Sequence, residues 1–484
     1  MADSTGRELN YGQALTGSLL LAAWVRRHLP AEEKIAVLLP ASVAGALVNV
    51  GITLAGRVPV NLNFTAGREA MACACRQCGI RTVVTSQAFL GKAKIEAPAG
   101  TVFVEDIFKA AGKMRRLTAA VAARLLPARR LVPQMPAPDS LATVIFSSGS
   151  TGQPKGVMLS HFNLLSNIDA MAQVFWVGEG DRIVGVLPLF HSFGFTATVW
   201  FPLLTGCGAI YHPNPTDAKT IGKLVEKYRG TFLLATPTFC AQYTARCTRE
   251  EFASLRFILA GAEKLREPVA KAFREKFGMD LLEGYGCTEM APVVAVNIPD
   301  FEAGKDTQVG NKPGTVGHPL PGVSVRIVDP ATREPLPPNQ EGLLLLRGPN
   351  RMLGYLGQPE RTAEVLEDGW YVTCDLATVD EDGFLRITDR LSRFSKIGGE
   401  MVPHLKVEEA IGQVIGDCPC AVTGIPDERR GERLVALYTH PDLTPQQLWQ
   451  ALSDAGLPRL CLPKLENIHE VASLPALGSG KLDL

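Results

Sequence analysis

The sequence predicts an α/β fold, with a large N-terminal domain, a small β-rich unit and a compact α/β domain at the C-terminal end. Three observations predict it. The 484 residues exceed what one hydrophobic core usually supports, so at least two domains are expected. Through the first half, short β-rich runs alternate with helical ones, the rhythm of parallel sheets with helical crossovers. Near 315–347 and again near 389–399 the texture changes, and these changes mark the unit boundaries.

The β-rich runs come in order as IAVLLP from Ile35, RTVVTS from Arg81, LATVIFSS from Leu141, RIVGVLP from Arg182, GAIYH from Gly208, TFLLATP from Thr231 and RFILAGA from Arg256. Ile35 to Gly56 carries no charged side chain and is long enough to span a bilayer. Pro40, Ser42, Asn49 and its glycines dilute it, so it reads as a buried strand followed by a packed helix. From Val323, VSVRIVD, the turn residues PLPPNQEG and GLLLLRG form a hairpin-rich pattern without long helices. DRLSRFSKIGG, from Asp389, is polar and glycine-containing, and a βα pattern follows it. The expected domains are 1–391, with the β-rich unit at about 310–390, and 392–484.

Lys plus Arg and Asp plus Glu balance at 49 each, which gives no reason to expect a nucleic-acid binder. Eleven cysteines, with no cleavable signal sequence at the start, fit a reducing cytoplasm. Cys73, Cys75 and Cys78 lie in a helix-like stretch without a fourth ligand at familiar spacing, so they read as thiols rather than a metal site. One segment is strongly asymmetric. Lys109 to Val132 holds seven Lys or Arg and no acid, interleaved with Leu, Ala and Val. It reads either as a solvated helix leading into a Pro-rich linker or as a basic amphipathic surface for anionic lipid or an acidic protein.

The chemistry concentrates in SSGSTGQPKGV, Ser147 to Val157. A buried strand delivers a loop in which Gly149 and Gly152 free backbone N–H groups, and Ser147, Ser148, Ser150 and Thr151 add hydroxyls, to surround phosphate oxygens. Lys155 adds a compact positive charge. The Walker spacing fails here and no helix begins immediately, so a P-loop NTPase is the weaker alternative.

This loop resembles the phosphate loop of the adenylate-forming superfamily of acyl-CoA synthetases, luciferases and peptide-synthetase adenylation domains. Further motifs follow in the family's order. The resemblance places His191 of LPLFHSFGF beside an acyl pocket, with Phe193, Phe195, Trp200 and Phe239 setting its depth. Gly261, Ala262 and Glu263 match the loop that lines adenine. GYGCTEM, Gly284 to Met290, looks like the adenine and magnesium motif: Tyr285 would stack on adenine between Gly284 and Gly286, Thr288 would touch the α-phosphate, and Glu289 would bind Mg²⁺. A carboxylate beside a phosphate site needs a cation between them. Asp375 of WYVTCDLA and Arg390 would hold the ribose, and Cys374 stands where the family commonly has glycine. In LPALGSGKLDL, Lys481 would meet the carboxylate and α-phosphate and offset developing charge.

The resemblance implies a mobile C-terminal domain that rotates about Ser392 and then presents Lys396, Gly398, Gly399 and Glu400 for thioester formation. It also implies two mostly parallel sheets and a small β-barrel-like unit in the N-terminal domain. A narrower resemblance, over DRLSRFSKIGGEMVPH, VTGIPDERRGERLVALYT and GLPRLCLPK, is to the ligase domain of the bifunctional acyl carrier protein synthetase and 2-acylglycerophosphoethanolamine acyltransferase family. That family implies ATP and Mg²⁺, a long-chain fatty acid, and the phosphopantetheine thiol of acyl carrier protein as acceptor, in phospholipid repair. No H-x-x-x-x-D acyltransferase motif precedes the ligase region, so the expectation is a free-standing ligase or a piece of a longer fusion. The expected location is the cytoplasm, with peripheral contact at the inner membrane face through Lys109–Val132. A fatty acyl-CoA ligase would share every motif, and only the acceptor separates the two. An amino-acid adenylation domain fits less well, because LPLFHSFGF offers no acid to hold a substrate ammonium. A non-catalytic nucleotide-binding protein requires that Lys481 or Glu289 be nonfunctional.

Overall fold

The computed structural model describes the chain except residues 133–134, 148–153, 305, 398–399, 417, 428–430 and 476–484; of 303, 306, 392, 394, 396, 400 and 401 it describes the backbone only. Chain contacts divide it into two compact units. The first comprises Met1–Val325, Leu346–Tyr371 and Gly383–Leu385; the second comprises Arg326–Leu345, Val372–Asp382 and Arg386–Leu484.

The β-rich runs become strands. An eight-stranded sheet has the order Ala2–Asp3, Gly208–Tyr211, Arg182–Gly185, Phe232–Ala235, Phe257–Ala260, Leu282–Gly286, Val293–Val296, His318–Pro319. The first six are parallel neighbours and the last two are antiparallel. A second, all-parallel sheet has the order Val58–Asn61, Lys34–Leu38, Val83–Thr85, Thr101–Phe103. Because parallel strands are covered on both faces, they read as nearly continuous apolar runs, and all four residues of Phe232–Ala235 are buried. The short Val58–Asn61 and Thr101–Phe103 gave no comparable run in the sequence. The expected pair of mostly parallel sheets is thus present.

Ile35–Gly56 folds as strand Lys34–Leu38 and helix Val43–Leu54, with Ser42 capping the helix through the Gly45 amide. The buried Asn49 amide exchanges hydrogen bonds with Asn61 (3.0 and 2.8 Å), so its polarity is satisfied inside the core. Helix Tyr11–His28 packs closely on this helix because Gly51 has no side chain: a Cβ there would lie 2.6 Å from Leu21 Cβ. Among the described residues, no helix is long and apolar enough to cross a membrane.

A five-stranded sheet has the order Ser324–Val328, Gly342–Arg347, Trp370–Val379, Leu366–Glu367, with Leu385–Arg390 also on Trp370–Val379. This is the half-barrel-like element that the hairpin-rich texture announced.

At the C-terminal end, the strand pairs Phe394–Ile397 with Glu400–Pro403 and Cys420–Asp427 with Gly431–Tyr438 share a sheet, which Ile468–Glu470 joins in parallel. Helices His404–Ile415 and Pro445–Asp454 contribute Val407, Ile411, Leu448 and Leu452 to a core with Val422, Leu434 and Tyr438. Two polar contacts sit beside it, one half-buried and one buried. Arg393 pairs with Glu408, which also accepts from the Val422 amide (2.8 Å). Ser395 Oγ and His404 Nε2 lie 2.8 Å apart, both buried. Burial, reinforced by the Arg393 charge and opposed by Glu432, lowers the His404 imidazole from 6.5 to about 4. Between about pH 4 and 6.5 His404 is therefore neutral in the folded state while the unfolded chain protonates it. Its contribution is intact above pH 6.5 and is lost as pH falls toward 4, on the order of 3 kcal/mol. Melting curves of wild type and His404→Gln across this range should converge as the pH drops; parallel curves would contradict a neutral buried His404.

Candidate active site

The parallel strands set the site. The segments after Arg182–Gly185, Phe232–Ala235 and Phe257–Ala260, and the end of Leu282–Gly286, all leave one edge of the eight-stranded sheet, the edge where open α/β sheets hold ligands. Those segments carry His191, Phe193, Phe195, Trp200, Phe239, Gly261, Ala262, Glu263, Gly284, Tyr285, Gly286, Thr288 and Glu289.

Two paired strands carry the described ends of the SSGSTGQPKGV motif. Strand Leu141–Ser147 pairs antiparallel with Lys155–Ser160, which puts Ser147 opposite Lys155 at the base of the loop. Ser148, Gly149, Ser150, Thr151 and Gly152 lie outside the described residues. The hairpin is anchored by the buried Val144, Val157 and Leu159 and by Thr143, whose hydroxyl donates to the Pro59 carbonyl at 2.8 Å.

A third strand, Gly354–Tyr355, adds to this hairpin with Tyr355 opposite Val157. Its phenol donates to Glu289 Oε1 at 2.9 Å, and its ring faces Lys155 Nζ at 5.3 Å from the ring centre. The Met352 amide donates to the Glu289 carbonyl at 2.8 Å. The buried carboxylate of Glu289 is thereby tied to the strand that bears Lys155. Burial first, then the Glu289 charge, pushes the Tyr355 phenol far above its usual range, so it stays a donor. Tyr371 is raised for the same two reasons. Tyr355 was missed in the sequence because a two-residue GY between Leu353 and Leu356 has no periodicity and gives no signal until the third strand is formed.

The LPLFHSFGF segment turns sharply into a helix. A Cβ on Gly194 would lie 2.2 Å from the Pro188 carbonyl oxygen, so only glycine fits the turn that presents His191. His191 is half-buried and directly precedes the short helix Ser192–Gly194, and the Phe190 ring lies 5.7 Å from its own. The next residue, Ser192, is buried, and its hydroxyl is 3.2 Å from Thr288 Oγ1. Ser192 was also missed, since a serine in a loop has no distinguishing spacing. Phe195–Trp200 is a π-helix, a form frequent at functional sites. Phe195 and Phe239 are buried, Phe193 and Trp200 half-buried, and the Phe195 and Trp200 rings meet edge to face at 5.9 Å.

Gly261 is packed between two neighbours: a Cβ on it would sit 3.4 Å from the Gly284 carbonyl and 3.5 Å from the Phe193 ring. Ala262 follows in the left-handed region, at φ 69°. The Glu263 carboxylate accepts from the Thr238 hydroxyl (2.6 Å) and amide (3.3 Å) at the start of helix Pro237–Arg246, a favourable place for negative charge. Gly284, Tyr285 and Gly286 lie on the strand itself, paired with Val296, Ala295 and Val293.

In the second unit, Asp375 is buried and accepts from Arg390 Nε at 2.6 Å, and its amide donates to Thr373 Oγ1 at 2.9 Å. A carboxylate has lone pairs beyond those one guanidinium uses, so this pairing orients it for further donors. Cys374 is exposed and keeps the left-handed conformation that glycine adopts without cost, at φ 62°. Ser392 lies in the short helical turn Leu391–Arg393. Lys396 and Glu400 lie on the adjacent strands Phe394–Ile397 and Glu400–Pro403; Gly398, Gly399 and Lys481 fall outside the described residues.

Two substitutions test these arrangements. Tyr355→Phe deletes one bond to a charged acceptor, and the KM for ATP should rise by about tenfold while the melting temperature stays within a few degrees. Cys374→Gly should leave thermal stability equal or higher, whereas Cys374→Val should lower it by about 1–2 kcal/mol, because a branched side chain is poorly tolerated at positive φ.

The AMP-binding enzyme family matches residues 1–356. A long-chain-fatty-acid–CoA ligase of Bacillus subtilis (strain 168) is 28% identical over 461 residues, 89% of this chain and 81% of its own length. A feruloyl-CoA synthase of an Amycolatopsis species is 34% identical over 351 residues, 71% of this chain and 68% of its own. The crystal structure of ATP-bound MatB from Rhodopseudomonas palustris superposes with a TM-score of 0.83 at 26% identity, covering 99% of this chain and 93% of that one. The Bacillus subtilis o-succinylbenzoate CoA synthetase, in complex with its acyl-adenylate intermediate, shares the fold with a TM-score of 0.82 at 23% identity, over 99% of this chain and 93% of that one. The chain belongs to the AMP-binding enzyme family, and it is an adenylate-forming acid–thiol ligase.

Proposed function

We propose that the enzyme activates a long-chain fatty acid as acyl-AMP and passes the acyl group to the phosphopantetheine thiol of acyl carrier protein. The observation that carries the activation step is the bond from Tyr355 to Glu289, which joins a buried carboxylate to the phosphate-loop hairpin beside Lys155. In the first half-reaction a carboxylate oxygen bonds to the α-phosphorus of ATP and the bond to the β-phosphate oxygen breaks, giving acyl-AMP and pyrophosphate. In the second, the thiolate bonds to the acyl carbon, AMP leaves, and the thiol proton passes to solvent.

Each residue has a part. Ser147, Lys155 and the loop 148–152 hold the β- and γ-phosphates. Gly261, Ala262, Glu263 and Gly284 to Gly286 line the adenine with Tyr285 stacked on it, and Asp375 with Arg390 holds the ribose. Thr288 donates to the α-phosphate, steadied by Ser192. The site's oxygen donors, the Glu289 carboxylate and the Thr288 hydroxyl, suit a hard divalent cation, and Mg²⁺ held by Glu289 would neutralise phosphate charge. Lys481 offsets the charge that builds as the carboxylate attacks. His191, with Phe193, Phe195, Trp200 and Phe239, borders the acyl chain. The C-terminal domain, from 392, turns about Ser392 between half-reactions and brings Lys396, Gly398, Gly399 and Glu400 to the thioester step.

Acyl carrier protein as acceptor rests on the resemblance of the stretches from Asp389 onward. Coenzyme A is the second reading, favoured by the names of the relatives, which are coenzyme A ligases.

One set of assays separates these points. Fatty-acid-dependent exchange of pyrophosphate into ATP should be present in the wild type and fall at least about a hundredfold in Lys481→Ala. Thioester formation from preformed acyl-AMP should survive that substitution. Offered holo acyl carrier protein and coenzyme A in turn, the enzyme should show the higher kcat/KM with the protein. A preference for coenzyme A would establish the second reading, and no exchange at all would sink both.

A further inference from the structure

Helix Lys113–Leu125 and the turn Ala128–Leu131 contain no buried residue. The longer helix packs against Tyr11–His28, and Ala119, Ala120, Ala122 and Ala123, all half-buried, share one side of it. Arg116 fastens its start, donating from Nε to the Ala111 carbonyl (2.9 Å) and from Nη2 to the Phe108 carbonyl (2.7 Å). Away from that contact lie four large apolar side chains: Met114 (72% exposed), Leu117 (59%), Val121 (46%) and Leu125 (76%). Their spacing of three, four and four residues aligns them in one stripe along the helix. Burial of the alanines cannot account for them, since the stripe runs along the opposite side.

The charges around the stripe are of one sign. Lys113, Arg115 and Arg124 lie on the same helix, Arg129 and Arg130 follow, and no Asp or Glu occurs from Lys109 to Val132. The whole chain balances at 49 basic and 49 acidic residues, so this is a local concentration rather than a general excess. We infer that helix Lys113–Leu125 is a docking surface for an anionic lipid bilayer, lying along the interface with its apolar stripe inserted and its basic side chains among the headgroups.

Two features favour a bilayer over a protein. The stripe is an exposed ridge of apolar side chains on the outer side of a helix, which a bilayer accommodates without a matching groove. Basic side chains near the stripe have stems long enough to cover apolar surface while their charges reach phosphate, the arrangement of interfacial helices. Anionic headgroups complement the charge, and each Lys or Arg adds to the attraction near such a surface.

The test uses the full chain and sedimentation with vesicles of phosphatidylcholine containing roughly one third phosphatidylglycerol. The wild type should bind these at least about tenfold more tightly than vesicles of phosphatidylcholine alone. The double variant L117E/L125E should lose at least about tenfold of that binding, with unchanged melting temperature, because both positions are exposed. Failure of the wild type to bind, equal binding to neutral vesicles, or undiminished binding by the double variant would each overturn the inference. So would specific capture of an acidic protein such as acyl carrier protein at this helix without vesicle binding, which would make a protein the occupant.

Discussion

Parallel pairing of Arg182–Gly185, Phe232–Ala235, Phe257–Ala260 and Leu282–Gly286 is the constraint from which the rest of the site follows. A parallel pair cannot be joined by a tight turn, so each strand must be followed by a crossover, and crossovers cover both faces of the sheet. Every strand then ends on the same side, and the chain leaves the sheet several times within a small area. That area receives the LPLFHSFGF turn, the Gly261 loop and the Thr288–Met290 turn, which lie far apart in sequence only because helices and strands intervene.

What completes the site is antiparallel. The phosphate-loop hairpin belongs to a separate three-stranded ladder, and the short strand Gly354–Tyr355 gives it a side chain that reaches Glu289. Burying a carboxylate is costly unless it is hydrogen-bonded, and Tyr355 with its raised phenol supplies a permanent donor. The hairpin and the Thr288–Met290 turn are therefore held in register by one charge-assisted bond and by the Met352 amide.

The α/β class and the long buried strands were legible because a strand covered on both faces leaves an apolar run, as Phe232–Ala235 does. The two-residue strand Gly354–Tyr355 was not, since nothing in two residues is periodic. Motifs such as SSGSTGQPKGV and GYGCTEM were legible through their unusual density of small and hydroxylated residues. Ser192 and Tyr355 became visible only through contacts made across about a hundred and about seventy residues of chain. Cys374 lies between these cases: the substitution was visible in sequence, and its backbone answer, a left-handed residue bearing a side chain, required coordinates.

The π-helical turn Phe195–Trp200 limits how this aromatic segment can change. A π turn houses one more residue than the α turn it interrupts, so the α segments on either side keep their own packing while the wall between them is lengthened. Removing one residue there would return the turn to α geometry with both flanks in place, whereas the same deletion within a regular helix would rotate everything on one side by about 100° about the helix axis. The aromatic wall is consequently adjustable in whole-residue steps at this one place, by insertion or deletion, in a way that substitution within a regular helix could not achieve.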